Sequence, residues 1–264
     1  MAFKGFFDGG NEADSRKYKI VTLAGFSGSG AQWDHFTEQW NRVLAAHQAR
    51  FLHTTDALAL EGHFKREKGW TEAGVEAFIG DCVSVIERST TTRRGDIFSF
   101  KGLRPVTVSV VLGDFMRALR KFPKLGSAEH LCAIHAVARC TAWGRFTGYS
   151  KFRFYFDQGE RFCGHIRDRM ENKKARRAAP EIRNIICAAE VNMREAPALQ
   201  AADVLAWSVN RKYEEGRVRY GWQKRLLALD RDADVFDYSR LSRPILRNVE
   251  TVDSWNLPPR RRPV

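Results

Sequence analysis

Three aspartates stand where apolar segments give way to polar ones, which is a place where a chain can offer carboxylates to a reaction. Asp8 closes the run FKGFFD and Asp157 closes the run KFRFYFD, so each would lie at the C-terminal end of a strand. Asp203, in LQAAD, lies beside the apolar stripe of a helix, where an acid is costly unless it is hydrogen-bonded, paired or bound to a metal. Ordinary structural roles also exist: a turn residue for Asp8, a helix cap for Asp157 and an ion pair for Asp203.

Carboxylates that converge from two strand ends and one helix would suit a hard divalent cation. Mg²⁺ takes oxygen ligands and usually few carboxylates, which leaves room for water and for a substrate phosphate. Two such ions about 3.5–4 Å apart can activate a water and stabilise the leaving oxygen of a phosphodiester. We therefore predict Mg²⁺ or Mn²⁺ as the cofactor, and Asp8, Asp157 and Asp203 as catalytic, metal-binding residues of a nuclease or related phosphodiester-processing enzyme.

His53 and Asp56, in FLHTTDAL, form a second polar pair beside an apolar run. Their spacing would let them face one way on a helical turn, where they could contact substrate. The alternative is a histidine that is simply a satisfied core group. The glycine-rich GFSGSG at 25–30 lacks the Gly-Lys-Ser/Thr ending of a phosphate-binding loop, which favours a strand-to-helix turn there.

Positive charge is the strongest feature of the composition. The formal net charge is +13 and the sequence pI is about 9.8, which indicates an anionic partner, with nucleic acid as the most common one. An acidic protein partner or a solvated surface would also account for the charge. The predicted substrate-binding residues from the basic clusters are Lys173, Lys174, Arg176, Arg177, Arg211 and Lys212.

Two other classes of function remain open from these residues. One is a nucleic-acid-binding module whose catalytic power is reduced or absent. The other is an interaction protein that uses the same scaffold, which needs only the charge and a core. The sequence leaves DNA versus RNA, and the oligomeric state, undecided.

The elements that must position the acids follow from periodicity. Two apolar runs at 3–10 and 17–28 predict a β-hairpin, and residues 30–100 read as a largely helical insertion. Strands are further predicted in LRPVTVSVVLGDF, KFRFYFD and IRNIICAAEV, and helices in GSAEHLCAIHAVARCTAWG, from about Glu160 to Arg176, and from Pro197 to Gly216. This order predicts an α/β fold in which a mixed sheet is flanked by helices, with residues 3–8 in the middle of the sheet.

Composition bounds the class of protein. Hydrophobic residues make up 44% of the 264, which indicates a globular chain with a sizeable core. No stretch approaches the roughly 20 apolar residues of a membrane span, and the first residues do not read as a signal peptide. The five cysteines are widely spaced and odd in number, so buried thiols in a reducing, cytoplasmic location are expected instead of disulfides or a zinc site.

The combination of FFDGG, FYFDQG and ALQAADVLAWSVNR resembles the family catalogued as domain of unknown function 3800. The LQxAD helix is its most specific motif, and the resemblance covers roughly residues 3–215. It implies a ribonuclease H-like fold, which we assign to residues 1–216. The chain is basic and aromatic from about residue 217, which predicts a basic C-terminal extension over 217–264. The resemblance also implies that Asp8 lies on the first strand, Asp157 ends the fourth and Asp203 lies on the last helix, as metal-binding acids do in ribonuclease H-like nucleases.

One motif departs from that family. Its first strand usually carries Asp-Glu-Ser-Gly, whereas this chain has DGGNEADS, so Glu12, Asp14 or Ser15 would have to supply the missing polar groups, or the site is weakened. Ribonuclease H-like enzymes often take a further acid from the first helix after the hairpin strands. Glu129 is the candidate for this fourth metal ligand, although a glutamate at a helix start is equally expected for its effect on the helix dipole.

Overall fold

The computed structural model of the chain describes residues 2–10, 18–90, 102–178, 180–230 and 233–242. Within these ranges no helix is both long and apolar enough to cross a membrane. All five cysteine thiols are free, and four of them are buried, as the predicted buried thiols require. Glu12, Asp14 and Ser15, the candidate replacements for the altered motif, lie outside the described residues.

A six-stranded mixed sheet forms the centre of the fold. Its strands are β1 (Phe3–Gly10), β2 (Ile20–Gly28), β3 (Arg104–Val111), β4 (Phe152–Asp157), β5 (Ile185–Val191) and β6 (Asp234–Phe236). They lie in the order β5-β4-β1-β2-β3-β6. β2 runs antiparallel to β1 and β3, whereas β1 runs parallel to β4, and β4 parallel to β5. The predicted hairpin, the mixed sheet and the central position of β1 are therefore confirmed.

Helices cover both faces of the sheet. In chain order they are α1 (Gly30–Ala46), α2 (Thr54–Ala59), α3 (Glu72–Ser89), α4 (Leu112–Lys121), α5 (Ala128–Phe146), α6 (Arg161–Glu171), α7 (Lys173–Ala178), α8 (Pro180–Arg183), α9 (Pro197–Glu215), α10 (Gly221–Leu227) and α11 (Tyr238–Leu241). One apolar core joins the sheet to α4, α5 and α6, and a second joins it to α1, α3, α9 and α10. The helical segment between β2 and β3 thus belongs to the second core.

The alternation of side chains along β1 and β4 decides which face receives the acids. Phe7 and Phe156 point into the core beneath α5 and α6. Phe6 packs on the other side, where its ring stacks on Tyr155 at 4.7 Å between ring centroids. Because successive side chains of a strand point to opposite faces, Asp8 and Asp157 are directed with Phe6 and Tyr155 towards α9.

Two element predictions were wrong in detail. The strand predicted to run through LRPVTVSVVLGDF ends at Val111, and α4 begins at Leu112, because Leu112, Phe115 and Ala118 bury one helical stripe. The single helix predicted over 160–176 is two helices, α6 and α7, separated at Asn172.

The predicted boundary at residue 216 does not separate a domain from an extension. β6 pairs in parallel with β3 and so completes the main sheet. Asp234 at its start accepts hydrogen bonds from Arg139 at 3.2 Å and from Arg240 at 2.6 Å, and the ring of Phe236 is buried against His135. The chain from 217 to 242, as far as it is described, belongs to the same fold, and residues 243–264 lie outside the described part.

Candidate active site at the ends of strands β1 and β4

Asp8 and Asp157 reach the same edge of the sheet. β1 and β4 are parallel neighbours paired through Phe7 and Phe156, and each aspartate is the next residue along. Asp8 is buried, with only 7% of its surface exposed, and Asp157 is half-buried. The Oδ1 atom of Asp157 accepts the backbone N–H of Met193 at 2.9 Å, which ties the end of β4 to the turn that follows β5.

Asp203 is brought to this edge by α9. The helix begins with Pro197 in its first turn and ends at Gly216 in the left-handed conformation, as predicted. Small buried residues, Ala201, Ala202 and Ala206, allow the helix to pack closely over β1 and β2. Asp203 is 6% exposed, and its Oδ2 atom accepts two hydrogen bonds of 2.7 Å, from the Thr54 backbone N–H and the Thr54 hydroxyl.

Electrostatics links these acids into one group. Burial raises the pKa of Asp8 well above its usual 3.8, and the charges of Asp203, Glu160 and Asp157 raise it further. Burial also raises the pKa of Asp203, while His53 and the hydrogen bonds from Thr54 lower it. Asp8 therefore sits among three other carboxylates, contributed by β4, by the start of α6 and by α9.

Glu160 is the member of this group that the sequence did not predict. It precedes the first residue of α6, two residues after Gln158 and directly after the turn that ends β4. Its side chain lies against the backbone of Gly9: a β-carbon at that position would be 2.3 Å from Glu160 Oε2 and 2.3 Å from the ring of Phe162. The run DQGE, with an acid three residues beyond the strand-ending aspartate, is the signal that could have found it.

Glu129, predicted as the fourth ligand, lies in the first turn of α5 and is 5% exposed. Burial raises the pKa of the Cys132 thiol, and the charge of Glu129 raises it further. The charge of Glu160 raises the pKa of Asp8, whereas Glu129 is not among the charges that do so. Glu160 is therefore the fourth carboxylate of the group around Asp8, and metal ligation by Glu129 stays a prediction.

His53 and Asp56 lie beside the acids, on the segment between β2 and β3. His53 Nδ1 and Asp56 Oδ2 are 3.0 Å apart, and each side chain is about one-third exposed. Thr54, the residue after His53, carries both hydrogen bonds to Asp203. The pair therefore lies beside the acids and lines a cleft of about 400 Å³ that contains Asp157, and its contact with substrate stays a prediction.

The basic residues of α7 lie elsewhere. α7 leads through α8 into the start of β5, and Ile185 pairs there with Phe152, the first residue of β4. The acids lie at the other end of β4, so the six residues of that strand, about 20 Å, separate the two edges. The exposed side chains of Lys173, Lys174 and Arg176 are thus at the opposite edge from the acids. The side chain of Arg177 lies outside the described part of the chain.

Arg211 and Lys212 lie on α9, about two turns beyond Asp203. The guanidinium of Arg211 contacts Glu215 at 3.3 Å and lies 5.5 Å from the centre of the Trp207 ring. Lys212 is exposed. The structure therefore gives Arg211 a partner on its own helix and leaves it outside the group of acids.

The chemistry of the donor set fits a divalent cation. Four carboxylates supply only hard oxygen ligands, and their mutual repulsion would fall if a cation were bound among them. Asp203 Oδ2 accepts both hydrogen bonds from Thr54, and Asp157 Oδ1 accepts one from Met193, so each aspartate has a second carboxylate oxygen outside these bonds. Among the described residues, no group of three or more His, Cys, Asp or Glu side chains is placed so that it could hold a metal ion.

Comparisons with protein-family models, with curated proteins and with solved structures found no match.

Proposed function

We propose that this chain is a Mg²⁺- or Mn²⁺-dependent nuclease, or a related phosphodiester-processing enzyme. Its fold would be ribonuclease H-like, as the resemblance to domain of unknown function 3800 implies. The mixed sheet with an antiparallel β2 and acids at one edge is consistent with that fold. The observation that carries the proposal is Asp8: a buried carboxylate surrounded by Asp203, Glu160 and Asp157.

A cluster of buried acids is costly to fold, because each charge loses hydration and repels the others. Proteins keep such groups where a cation or a proton compensates them, and these are often functional sites. Here the four carboxylates arrive from four separate elements, β1, β4, the start of α6 and α9. A turn residue, a cap and a helix ion pair, the ordinary alternatives, would not bring these acids together.

Each side chain has a definable task in such a site. Asp8, Asp157, Asp203 and Glu160 would hold the metal, and Thr54 and the Met193 N–H orient two of these carboxylates. When bound, a divalent metal activates a water and stabilises the leaving oxygen of a phosphodiester. The excess positive charge of the chain favours a polyanionic substrate and would act mainly on affinity, without reading bases.

Asp203→Asn tests the proposal. The amide oxygen of an asparagine can still accept both hydrogen bonds from Thr54, so the variant should fold, but it lacks the charge that a divalent cation needs. We expect the wild-type protein to cleave DNA or RNA with Mg²⁺ or Mn²⁺. The cleavage rate of the variant should fall by at least about 100-fold. Loss of a residue that only hydrogen-bonds a metal ligand already costs up to about 100-fold, and loss of a ligand should cost more. A panel of single- and double-stranded DNA and RNA measures this directly.

Thermal melts with and without Mn²⁺ separate the alternatives. A metal-binding protein should melt at a higher temperature in Mn²⁺, and Asp203→Asn should lose that increase. If Asp203 is instead a structural hydrogen-bond acceptor alone, the variant is destabilised equally with and without metal. If the wild-type protein cleaves nothing in the panel and its melting temperature does not change in millimolar Mn²⁺, the result would favour a nucleic-acid-binding module without catalysis.

A further inference from the structure

A polar cleft opens directly beside the acids. One wall comes from the segment between β2 and β3, and the other from the ends of β4 and β5. Asp157 belongs both to the cleft and to the group of acids around Asp8. A ligand in the cleft would therefore be continuous with whatever lies over the acids. Its volume of about 400 Å³ is near the small end of the ~300–1,000 Å³ range of ligand pockets.

One part of the lining is a planar, cationic and aromatic contact. The Cζ atom of Arg194 lies 5.2 Å from the centre of the Phe51 ring. His63 holds that ring from within: the two rings are 4.4 Å apart between centroids, and His63 Nε2 contacts the Phe51 carbonyl at 2.9 Å. Arg194 is exposed, and no carboxylate among the described residues pairs with it. Phe51 and Arg194 are thus a supported surface of the type on which bases stack.

The rest of the lining consists of hydrogen-bonding groups that suit the edge of a base. Asn192 Oδ1 accepts the Arg194 backbone N–H at 3.0 Å, which fixes the amide and leaves its NH₂ group to donate. Gln158 offers a second amide, and His53 keeps Nε2 available because Nδ1 contacts Asp56. The cleft contains two aspartates, Asp56 and Asp157, and one arginine, so it is a poor site for a negatively charged phosphate. Side-chain amides beside a stacking surface instead suit an uncharged, planar heterocycle such as a base.

We propose that this cleft binds one unpaired nucleobase of a single-stranded nucleic acid, stacked on Arg194 and Phe51. Its position next to the scissile phosphate rests on the proposed nuclease function. A base that is paired within a duplex is stacked on both faces and shows only its edge, so it cannot enter a cleft between two walls without being flipped out. The site would therefore make the protein selective for single strands.

Binding measured without divalent metal tests this inference apart from catalysis. The probes are fluorescein-labelled oligothymidylate, oligouridylate and a labelled DNA duplex, followed by fluorescence anisotropy in EDTA. We expect the single strands to bind more tightly than the duplex. Arg194→Ala should weaken single-strand binding about tenfold, as expected for the loss of one stacked base, and should change duplex binding much less.

Two further variants separate stacking from charge. Arg194→Lys keeps the positive charge but not the planar guanidinium, so it should bind single strands about as weakly as Arg194→Ala. Phe51→Leu keeps apolar bulk against His63 while it removes the aromatic face, and it should weaken single-strand binding as well. The matched control is Arg88→Ala, an exposed arginine near the end of α3, which leads to the start of β3 at the opposite edge of the sheet.

The outcomes distinguish this inference from the proposed function. Equal affinity for single strands and duplex, full affinity in Arg194→Lys, or no binding by the wild-type protein overturns the base site. Active, metal-dependent cleavage with unchanged affinity in both Arg194→Lys and Phe51→Leu would overturn it while leaving the nuclease intact. Selective single-strand binding that depends on Arg194 and Phe51, without any cleavage, supports the base site and counts against the nuclease.

Discussion

At the scale of single residues, Asp8 is where stability and function oppose each other. Its carboxylate is 7% exposed, and burial and three neighbouring acids raise its pKa. An acid whose folded pKa is raised above its unfolded value stabilises the fold only where it is protonated. That contribution is complete below the unfolded value of about 3.8 and is lost as the pH rises through the raised value. Above about pH 3.8, Asp8 therefore makes the metal-free protein less stable than a neutral side chain of the same shape would.

Asp8→Asn should consequently stabilise the metal-free protein at neutral pH. We expect its Tm to rise by a few degrees, since about 1 kcal/mol corresponds to ~2–4 °C in a chain of this size. The difference between variant and wild type should shrink as the pH falls towards about 3.8, where both side chains are neutral. Mn²⁺ should stabilise the wild type more than the variant. A lower Tm for Asp8→Asn without metal at neutral pH would show that the carboxylate is paired and not repelled.

At the scale of elements, the approach of α6 to β1 depends on one glycine. Glu160 and the buried ring of Phe162 occupy the space that a side chain at position 9 would fill. The α6 helix also contains Gly164, which is exposed and has no atom within 4 Å of its would-be β-carbon. A side chain at position 9 would therefore clash with its neighbours, whereas a side chain at position 164 would contact nothing.

Gly9→Ala should destabilise the protein by about 1–3 kcal/mol, the usual cost of adding a methyl group to a packed site. It should also displace Glu160 from Asp8 and weaken the stabilisation by Mn²⁺. Gly164→Ala is the matched control: it adds the same methyl group within a helix and should stabilise by about 0.5–1 kcal/mol. Urea unfolding measures both. Equal effects of the two substitutions would mean that α6 can move away from β1 without cost.

The same elements show what local sequence can reveal. Alternation and aromatic content predicted β1 and β4, and with them the edge that carries Asp8 and Asp157, because these signals are local. For Glu160 the run DQGE shows only that an acid follows the end of β4, since its place beside Asp8 depends on how α6 packs against Gly9. β6 is three residues long and pairs with a strand more than 100 positions earlier, so its own residues do not predict the pairing.

At the scale of the whole molecule, one cluster of positive charge lies far from the acids. The net charge is +13, yet Lys173, Lys174 and Arg176 lie at the edge of the sheet opposite Asp8 and Asp157. A short ligand held at the acids cannot reach them across about 20 Å of strand. A long strand that continues around the sheet can do so, which makes the contribution of α7 depend on ligand length.

Neutralising this cluster with Lys173→Gln, Lys174→Gln and Arg176→Gln tests that dependence. Each phosphate contact that is lost should flatten the plot of log affinity against log salt by about 0.7 for a single strand, through the loss of counterion release. For a long single strand we expect the slope to fall by up to about 2 and the affinity at low salt to drop. For an oligonucleotide only a few residues long, the slope and the affinity should stay near the wild-type values, since such a ligand ends before it reaches α7.

Anisotropy titrations over a range of salt concentrations, in EDTA and with both oligonucleotide lengths, provide the comparison. An unchanged slope with the long strand would make α7 a solvated face with no part in binding, whereas an equal loss with both lengths would require the substrate path to pass over α7 and not over the acids.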